Sequence, residues 1–408
     1  MTVKPASEVE LRRRAAKAIP GGMYGHNVEK FLWPGAPQFW SRARGSRVWD
    51  ADGNEYVDLM CGWGPIVLGY SHPEVEAAAD RQRRSLDLGN GPAAVFVELA
   101  ERLIDVVDHA DWAVFAKNGT DVTTAALVVA RIETARSTAL VARGAFHGSA
   151  PWCHSHRPGV TSGERASIAY YDYNDAESLR TAVAEHGDDL AAILLTPHRH
   201  DAAADQELID PEFAREVRRL CDVTGAVLVL DEVRTGFRLA FGSSWAHLGV
   251  EPDLSCWSKA IGNGHPVSAL LGRESLRAAT SAHLLGGTFW TSAVPLAASL
   301  ATLRILESEG AAARMAALGE TIADGIVERA RHHGVGVRLT GPPAMPYLAF
   351  DNDPAFTRAK SWAAAVAAAG LYVNPSHNWF ISSALDAADV KLILNAADAG
   401  FATVAGRW

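Results

Sequence analysis

The sequence predicts an α/β fold: a doubly wound, mostly parallel large domain with a smaller α+β domain. Three observations lead there. From about residue 96 short apolar runs alternate with segments of helical period, the pattern of βα units around a mostly buried sheet. At 408 residues the chain exceeds one minimal domain and has room for two or three lobes. After a long alanine- and leucine-rich helix at Pro295–Ser308 the βα alternation gives way to segments that suit a smaller lobe. We therefore expect an N-terminal segment over residues 1–60 that packs with the small domain, a large domain over 61–300, and the small domain itself over 301–408.

Residues 8–19 read as an amphipathic helix stopped by Pro20-Gly21-Gly22, after which Pro34, Gly35 and Pro37 keep the chain irregular. Ser46–Leu59, with Asp52-Gly53 at its centre, reads as a hairpin. Strands are expected at Trp112–Ala116, Thr138–Arg143, Ala191–Thr196, Ala226–Asp231 and Val267–Gly272. Between them, Thr120–Glu133, Ala176–His186 and Pro211–Thr224 carry apolar residues at i, i+3 or i+4 spacing and are expected to be helices. No internal repeat is visible.

Composition removes several function classes. With 48% apolar and 21% charged residues the chain is ordinary globular material. A formal charge of -9 disfavours nucleic acid or an anionic membrane as partner, since both need clustered positive charge. Cys61, Cys153, Cys221 and Cys256 are scattered, with no CxxC pair and no metal-ligand spacing, which predicts reduced cytoplasmic thiols. The first residues alternate charge and alanine without an apolar leader, and no stretch approaches the roughly 18 apolar residues of a membrane span. Export is not expected, nor is a metal: His198, His200, His247 and His265 lack the i, i+4 spacing of a helical ligand pair.

Three sequence features carry chemistry. The apolar run Ala226-Val-Leu-Val-Leu breaks into Asp231-Glu232-Val233, placing carboxylates at the C-terminal end of a buried strand, where open α/β sheets bind ligands. Ser258-Lys259-Ala260-Ile261-Gly262 sets a lysine between an apolar stretch and a glycine-bearing turn; desolvation there would lower its pKa and make it a nucleophile toward aldehydes. Lys117-Asn118-Gly119-Thr120 joins a strand to a helix and offers free N–H groups, a hydroxyl and a helix dipole to a phosphate. Each alone has an ordinary structural explanation. Together they supply the three grips that pyridoxal 5'-phosphate (PLP) requires, on its phosphate, ring nitrogen and aldehyde carbon.

At this point a resemblance covers nearly the whole chain. Trp49-Asp50-Ala51-Asp52-Gly53-Asn54, Trp63-Gly64-Pro65, Asn118-Gly119-Thr120, Phe146-His147-Gly148, Asp231-Glu232-Val233 through Gly236-Phe237-Arg238, and Ser258-Lys259 occur in the order seen in class III aminotransferases of the glutamate-semialdehyde-aminomutase-like branch. The chain resembles that family. The resemblance implies the type I fold of PLP-dependent transferases, with Lys259 binding the aldehyde carbon and Asp231 the ring nitrogen. It further implies Asn118, Gly119, Thr120 and His147 in the cofactor site, Val233 and Phe146 against the two ring faces, and Thr288 reaching the phosphate in a neighbouring subunit, hence a homodimer.

The departures narrow the reaction. Where many class III enzymes carry a Glu-Pro that masks an arginine for dicarboxylates, this chain has Thr196-Pro197, and where the aminomutases grip a carboxylate with arginine it has Val28. The segment from Gly148 to Tyr170-Tyr171 is shorter than the aminomutases' gating loop, so a half-reacted substrate should leave. An aminotransferase is expected, with a carboxylate-free donor, because a buried carboxylate without a partner is strongly unfavourable. Pro20-Gly21-Gly22-Met23-Tyr24-Gly25-His26, Ala150-Pro151-Trp152 and Arg199-His200 resemble branch members acting on long-chain amino polyols. Tyr24, Trp63, Trp152 and Trp290 are candidates to line an apolar tunnel for such an amine. Arg234 or Arg199 would bind the carboxylate of a keto-acid acceptor such as pyruvate. The competing readings are an aminomutase or racemase on the same scaffold, and a non-catalytic PLP-fold partner protein.

Overall fold

The computed structural model describes residues 6–155 and 158–405. They form two compact units: residues up to 72 with 202–205 and everything from 314, and residues 73–201 with 206–313.

The first unit opens with helix α1 (Glu8–Ala18), where the Ser7 hydroxyl accepts the N–H of Glu10 as N-cap. Strands β1 (Trp40–Arg44), β2 (Arg47–Asp50) and β3 (Glu55–Asp58) follow as an antiparallel meander. The β2–β3 turn is the expected hairpin, and Asp50 organises it. Its carboxylate accepts the N–H groups of Asp52 (3.0 Å) and Asn54 (2.8 Å) and the Tyr56 hydroxyl (2.9 Å), the local bonding that suits Asp to turns.

In the second unit, helices α2 (Pro73–Ser85) and α3 (Val95–Val106) precede β4 (Trp112–Ala116), α4 (Gly119–Thr134), β5 (Thr138–Ala142), β6 (Ile168–Tyr171), α5 (Ala176–His186) and β7 (Leu190–Leu195). A two-residue ladder, β8 (His198–Arg199) with β9 (Glu207–Leu208), leads to α6 (Pro211–Thr224) and β10 (Val227–Asp231). Then come β11 (Leu254–Trp257), β12 (Ser268–Gly272), α7 (Arg277–Ala282) and α8 (Ala293–Ser308). Seven strands form one sheet in the order β4-β12-β11-β10-β7-β5-β6, parallel except where β12 runs against its two neighbours. The sheet is covered on both faces. Val227 and Val229 belong to the core cluster that contains α4, whereas Leu228 and Leu230 belong to the opposite one with α5 and α6. With a period of 2, Asp231 follows Val227 and Val229 onto the α4 face.

The first unit resumes with α9 (Ala311–His332), whose first turn belongs to the second unit, and then the hairpin of β13 (Val337–Thr340) and β14 (Tyr347–Phe350). Next come α10 (Thr357–Ala368), β15 (Leu371–Tyr372), which pairs in parallel with β3, and α11 (Ala387–Ala405). The N-terminal meander and the C-terminal segments thus share one sheet, β1-β2-β3-β15.

Candidate active site

The site lies at the C-terminal edge of the seven-stranded sheet and is assembled from loops after β4, β5, β7, β10 and β11. After β4, the Asp121 carboxylate accepts the N–H groups of Asn118 (2.8 Å) and Lys117 (3.3 Å), which fixes the entry into α4 and leaves the first-turn N–H groups facing the site. Gly119 has to be glycine, because a Cβ there would fall 2.7 Å from Val233 Cγ1. Gly148 has φ +124°, and a Cβ on it would strike the Thr120 side chain. The Thr120 hydroxyl accepts the Ser149 N–H at 3.1 Å, tying the β5 loop to the start of α4.

Asp231 is 3% exposed. One of its oxygens accepts the Val233 N–H at 3.0 Å, and the other lies 2.7 Å from Nδ1 of His147, itself buried. A carboxylate only accepts, so His147 carries a proton on Nδ1. The Thr123 hydroxyl donates to the His147 carbonyl at 2.8 Å and holds the ring's backbone in place. Nε2 of His147 is buried and without a protein partner.

Lys259 opens the 3-10 turn Lys259–Gly262 with φ +49°, a left-handed conformation that costs a non-glycine residue about 1–3 kcal/mol and clusters at functional sites. The Ser258 hydroxyl, donating to the Val267 carbonyl at 2.8 Å, anchors the turn from behind. The side chain keeps some surface toward a cavity, but the atoms crowding its amine desolvate it. Burial, followed by the Arg234 charge, pushes its pKa down to about 7, with Asp231 pulling the other way.

Lys259, Asp231, Val233 and Arg234 line one cavity of about 190 Å³. Gly119 and Thr120 close it from α4, Phe146 to Ser149 from the β5 loop, and His200 from the loop after β7. Eight of the residues expected from sequence therefore meet: Gly119, Thr120, Phe146, His147, Asp231, Val233, Arg234 and Lys259. Asn118 sits beside them as the N-cap of α4. The other expected residues lie outside this lining. Arg199 pairs with Asp201 (2.8 Å) and Glu207 (3.7 Å), while the Trp152 indole donates to Thr124 and packs on the core beneath α4. Trp290 covers Gly287 and packs on the same core, and Thr288 is exposed in the preceding turn. Tyr24, 77% exposed, and Trp63, stacked on His26 at 4.6 Å, belong to the first unit. Sequence reasoning did not select His200 for the site. Its signal was the alternation His198, Arg199, His200, which turns the two histidines inward and the arginine out.

These groups fit pyridoxal phosphate. A helix N-terminus with N–H groups to spare suits the phosphate, and a buried carboxylate backed by His147 suits the ring nitrogen. A lysine poised near neutrality suits the aldehyde. Among the described residues no cluster of three or more metal-ligating side chains occurs, and no helix is long and apolar enough to cross a membrane.

With this fold and cavity in place, comparison with known proteins gives the class. Residues 34–386 match the family model described as aminotransferase class-III, and the chain belongs to that family. It is 48% identical over 395 residues to the aminopentol aminotransferase of Sphingopyxis macrogoltabida, covering 97% of this chain and 94% of that one. The glutamate-1-semialdehyde 2,1-aminomutase of Desulfatibacillum aliphaticivorans is 31% identical over 95% of this chain and 97% of its own. The FumI protein of a Sphingopyxis species, solved with PLP, superposes with a TM-score of 0.96 at 48% identity, over 97% of this chain and 96% of that one. The protein is a PLP-dependent aminotransferase of the type I fold.

Proposed function

We propose that the enzyme moves an amino group from a carboxylate-free amine, long-chain or polyol in character, to a keto acid such as pyruvate by a ping-pong mechanism. The observation that carries this reading is the charge of the cavity: besides Lys259, its lining has a single cation, Arg234, and no masking carboxylate beside it at the Thr196 position. Thr196 is buried, and its hydroxyl donates to the His198 carbonyl at 2.8 Å, so that position offers no switchable charge. One arginine serves one carboxylate, the acceptor's. The aminopentol relative supports a hydroxylated amine as donor.

Bound here, pyridoxal phosphate supplies an electron sink for the carbanion at the amine-bearing carbon. The N–H groups at the start of α4, with the Thr120 hydroxyl, would hold its phosphate. Asp231, oriented by His147 and the Val233 N–H, would keep a proton on the ring nitrogen through a charge-assisted bond. Val233 and Phe146 would flank the ring. Lys259 would capture the aldehyde carbon and, once displaced by the donor amine, move the proton between the donor carbon and the cofactor carbon.

A donor screen with pyruvate, read as alanine formed, tests the reading. If glutamate or another α-amino acid converts the cofactor much faster than any carboxylate-free amine, the donor assignment is overturned. Arg234 is anchored through Nη1 to the His200 carbonyl at 3.0 Å, and burial lowers its pKa to about 10, so it stays charged at neutral pH. Arg234→Ala should slow the keto-acid half-reaction by about two orders of magnitude, as expected for losing a charged hydrogen bond of ~1.5–3 kcal/mol, and should affect the donor half-reaction far less. Stopped-flow spectra separate the two.

The same reading includes a cytoplasmic homodimer in which Thr288 reaches the neighbouring subunit's cofactor. Leu284 and Phe289 bracket Thr288 and are 88% and 65% exposed, apolar surface of the kind interfaces cover. Sedimentation should find a dimer or a multiple of one, and an active monomer would contradict the assignment.

A further inference from the structure

We propose that His200 reads a hydroxyl on the amine donor close to its reacting carbon, and so selects hydroxylated amines over plain ones. This rests on the donor reading above and names the feature of the donor that the site recognises.

The imidazole of His200 is 3% exposed, and both its ring nitrogens are buried with no hydrogen-bond partner. It nevertheless lines the same cavity as Lys259 and Arg234. A polar ring stripped of water with neither nitrogen satisfied is destabilising unless a ligand completes it. The ring is also held in orientation. It stands edge-on to His198 with centroids 5.2 Å apart, and its own carbonyl accepts Arg234 Nη1 at 3.0 Å. The Thr196 hydroxyl pins the same segment through the His198 carbonyl.

The chemistry of the missing partner follows from the protonation state. Burial, followed by the Arg234 charge, holds the ring neutral, its pKa well below the usual histidine range. A neutral imidazole presents one N–H donor and one lone pair. A carboxylate can satisfy only the donor, and an ammonium only the lone pair. A hydroxyl can meet either nitrogen, and two neighbouring hydroxyls can meet both. Because Lys259 lines the same cavity, a hydroxyl in reach of His200 belongs to the end of the donor that carries the reacting amine. The cofactor's phosphate, ring nitrogen and aldehyde carbon are already matched to α4, Asp231 and Lys259, and its phenolic oxygen can meet at most one of the two ring nitrogens, leaving the other for the donor.

Two donors that differ by one hydroxyl, 2-aminooctane and 2-aminooctan-3-ol, test this on the holoenzyme. The wild type should favour the amino alcohol in kcat/KM by roughly tenfold or more, since a site built around a hydroxyl discriminates against its absence. His200→Phe keeps the ring volume and should collapse that ratio toward one; His200→Asn, with a donor and an acceptor, should restore part of it. Cofactor absorbance of both variants checks that they fold. Independently of turnover, the ¹⁵N ring signals of His200 in the holoenzyme should shift on adding octane-2,3-diol, which has no amine to react. Equal loss on both donors in His200→Phe overturns the proposal. So does a His200 ring signal that moves when cofactor binds but is indifferent to the diol. If both amines are refused and α-amino acids are taken, the donor reading fails instead, and the diol response alone decides the role of His200.

Discussion

Lys259→Ala should retain PLP non-covalently and lose turnover by about three orders of magnitude or more, because capturing group and proton carrier disappear together. The proposed phosphate and ring-nitrogen grips sit on other elements, α4 and β10, so absorbance should still report bound cofactor after gel filtration. In the wild type, borohydride should fix the cofactor on the peptide that contains Lys259, and a label elsewhere would end the assignment. The depressed pKa adds a pH signature. An ordinary lysine is neutral in about one molecule in 3,000 at pH 7, whereas one with a pKa near 7 is about half neutral. Since the neutral amine is the nucleophile, capture of PLP by the apoprotein should accelerate up to about pH 7 and level off above it. A rate that keeps climbing toward pH 10 would show that the amine is not desolvated as the structure has it.

Asp231→Asn should weaken PLP binding by about 10- to 100-fold, matching a lost charged hydrogen bond of ~1.5–3 kcal/mol, and reduce turnover further still. Two costs combine. The ring nitrogen would lose the carboxylate proposed to favour its protonated form, and because an amide keeps only one accepting oxygen, either the His147 Nδ1–H (2.7 Å) or the Val233 N–H (3.0 Å) would face an NH2 inside the core. Equilibrium dialysis measures the first effect and single-turnover kinetics the second. Turnover within a factor of two or three of wild type would mean that another group protonates the ring. His147→Phe should reproduce a smaller part of the loss, since Asp231 would keep the Val233 N–H.

Much of this was legible in the sequence because the large domain's interior imposes simple patterns. Val227 to Leu230 reads as a strand because residues facing either way are buried, one pair under α4 and the other under α5 and α6. β11, Leu254–Trp257, was harder to see. Its Ser255 is buried yet polar, satisfied by the Trp257 indole N–H two residues on (2.7 Å) and by His109 Nε2 at 2.8 Å, and a partner as distant in sequence as His109 leaves no periodicity. In the site, Asp231, Lys259 and the start of α4 announce themselves locally, a carboxylate after an apolar run, a lysine before a turn, a small residue before a helix. The His147–Asp231 contact spans 84 positions and exists only once β5 and β10 share a sheet. Arg199 and His200 show the limit in miniature: adjacent residues differ in whether they face the cavity, and only the local strand alternation separates them.

The close fit of Gly119 against Val233 has a consequence for how this enzyme can vary. A methyl group at position 119 would have to occupy space already held by the valine, 2.7 Å away, so the start of α4, proposed to hold the phosphate, and the residue proposed to support the ring share one volume. Neither position can be altered freely by itself. Variants that enlarge residue 119 should survive only with a smaller residue at 233, and a library that diversifies 233 to admit bulkier amines will carry hidden effects on cofactor retention unless 119 is screened with it. In this chain the two positions have to be engineered as a pair.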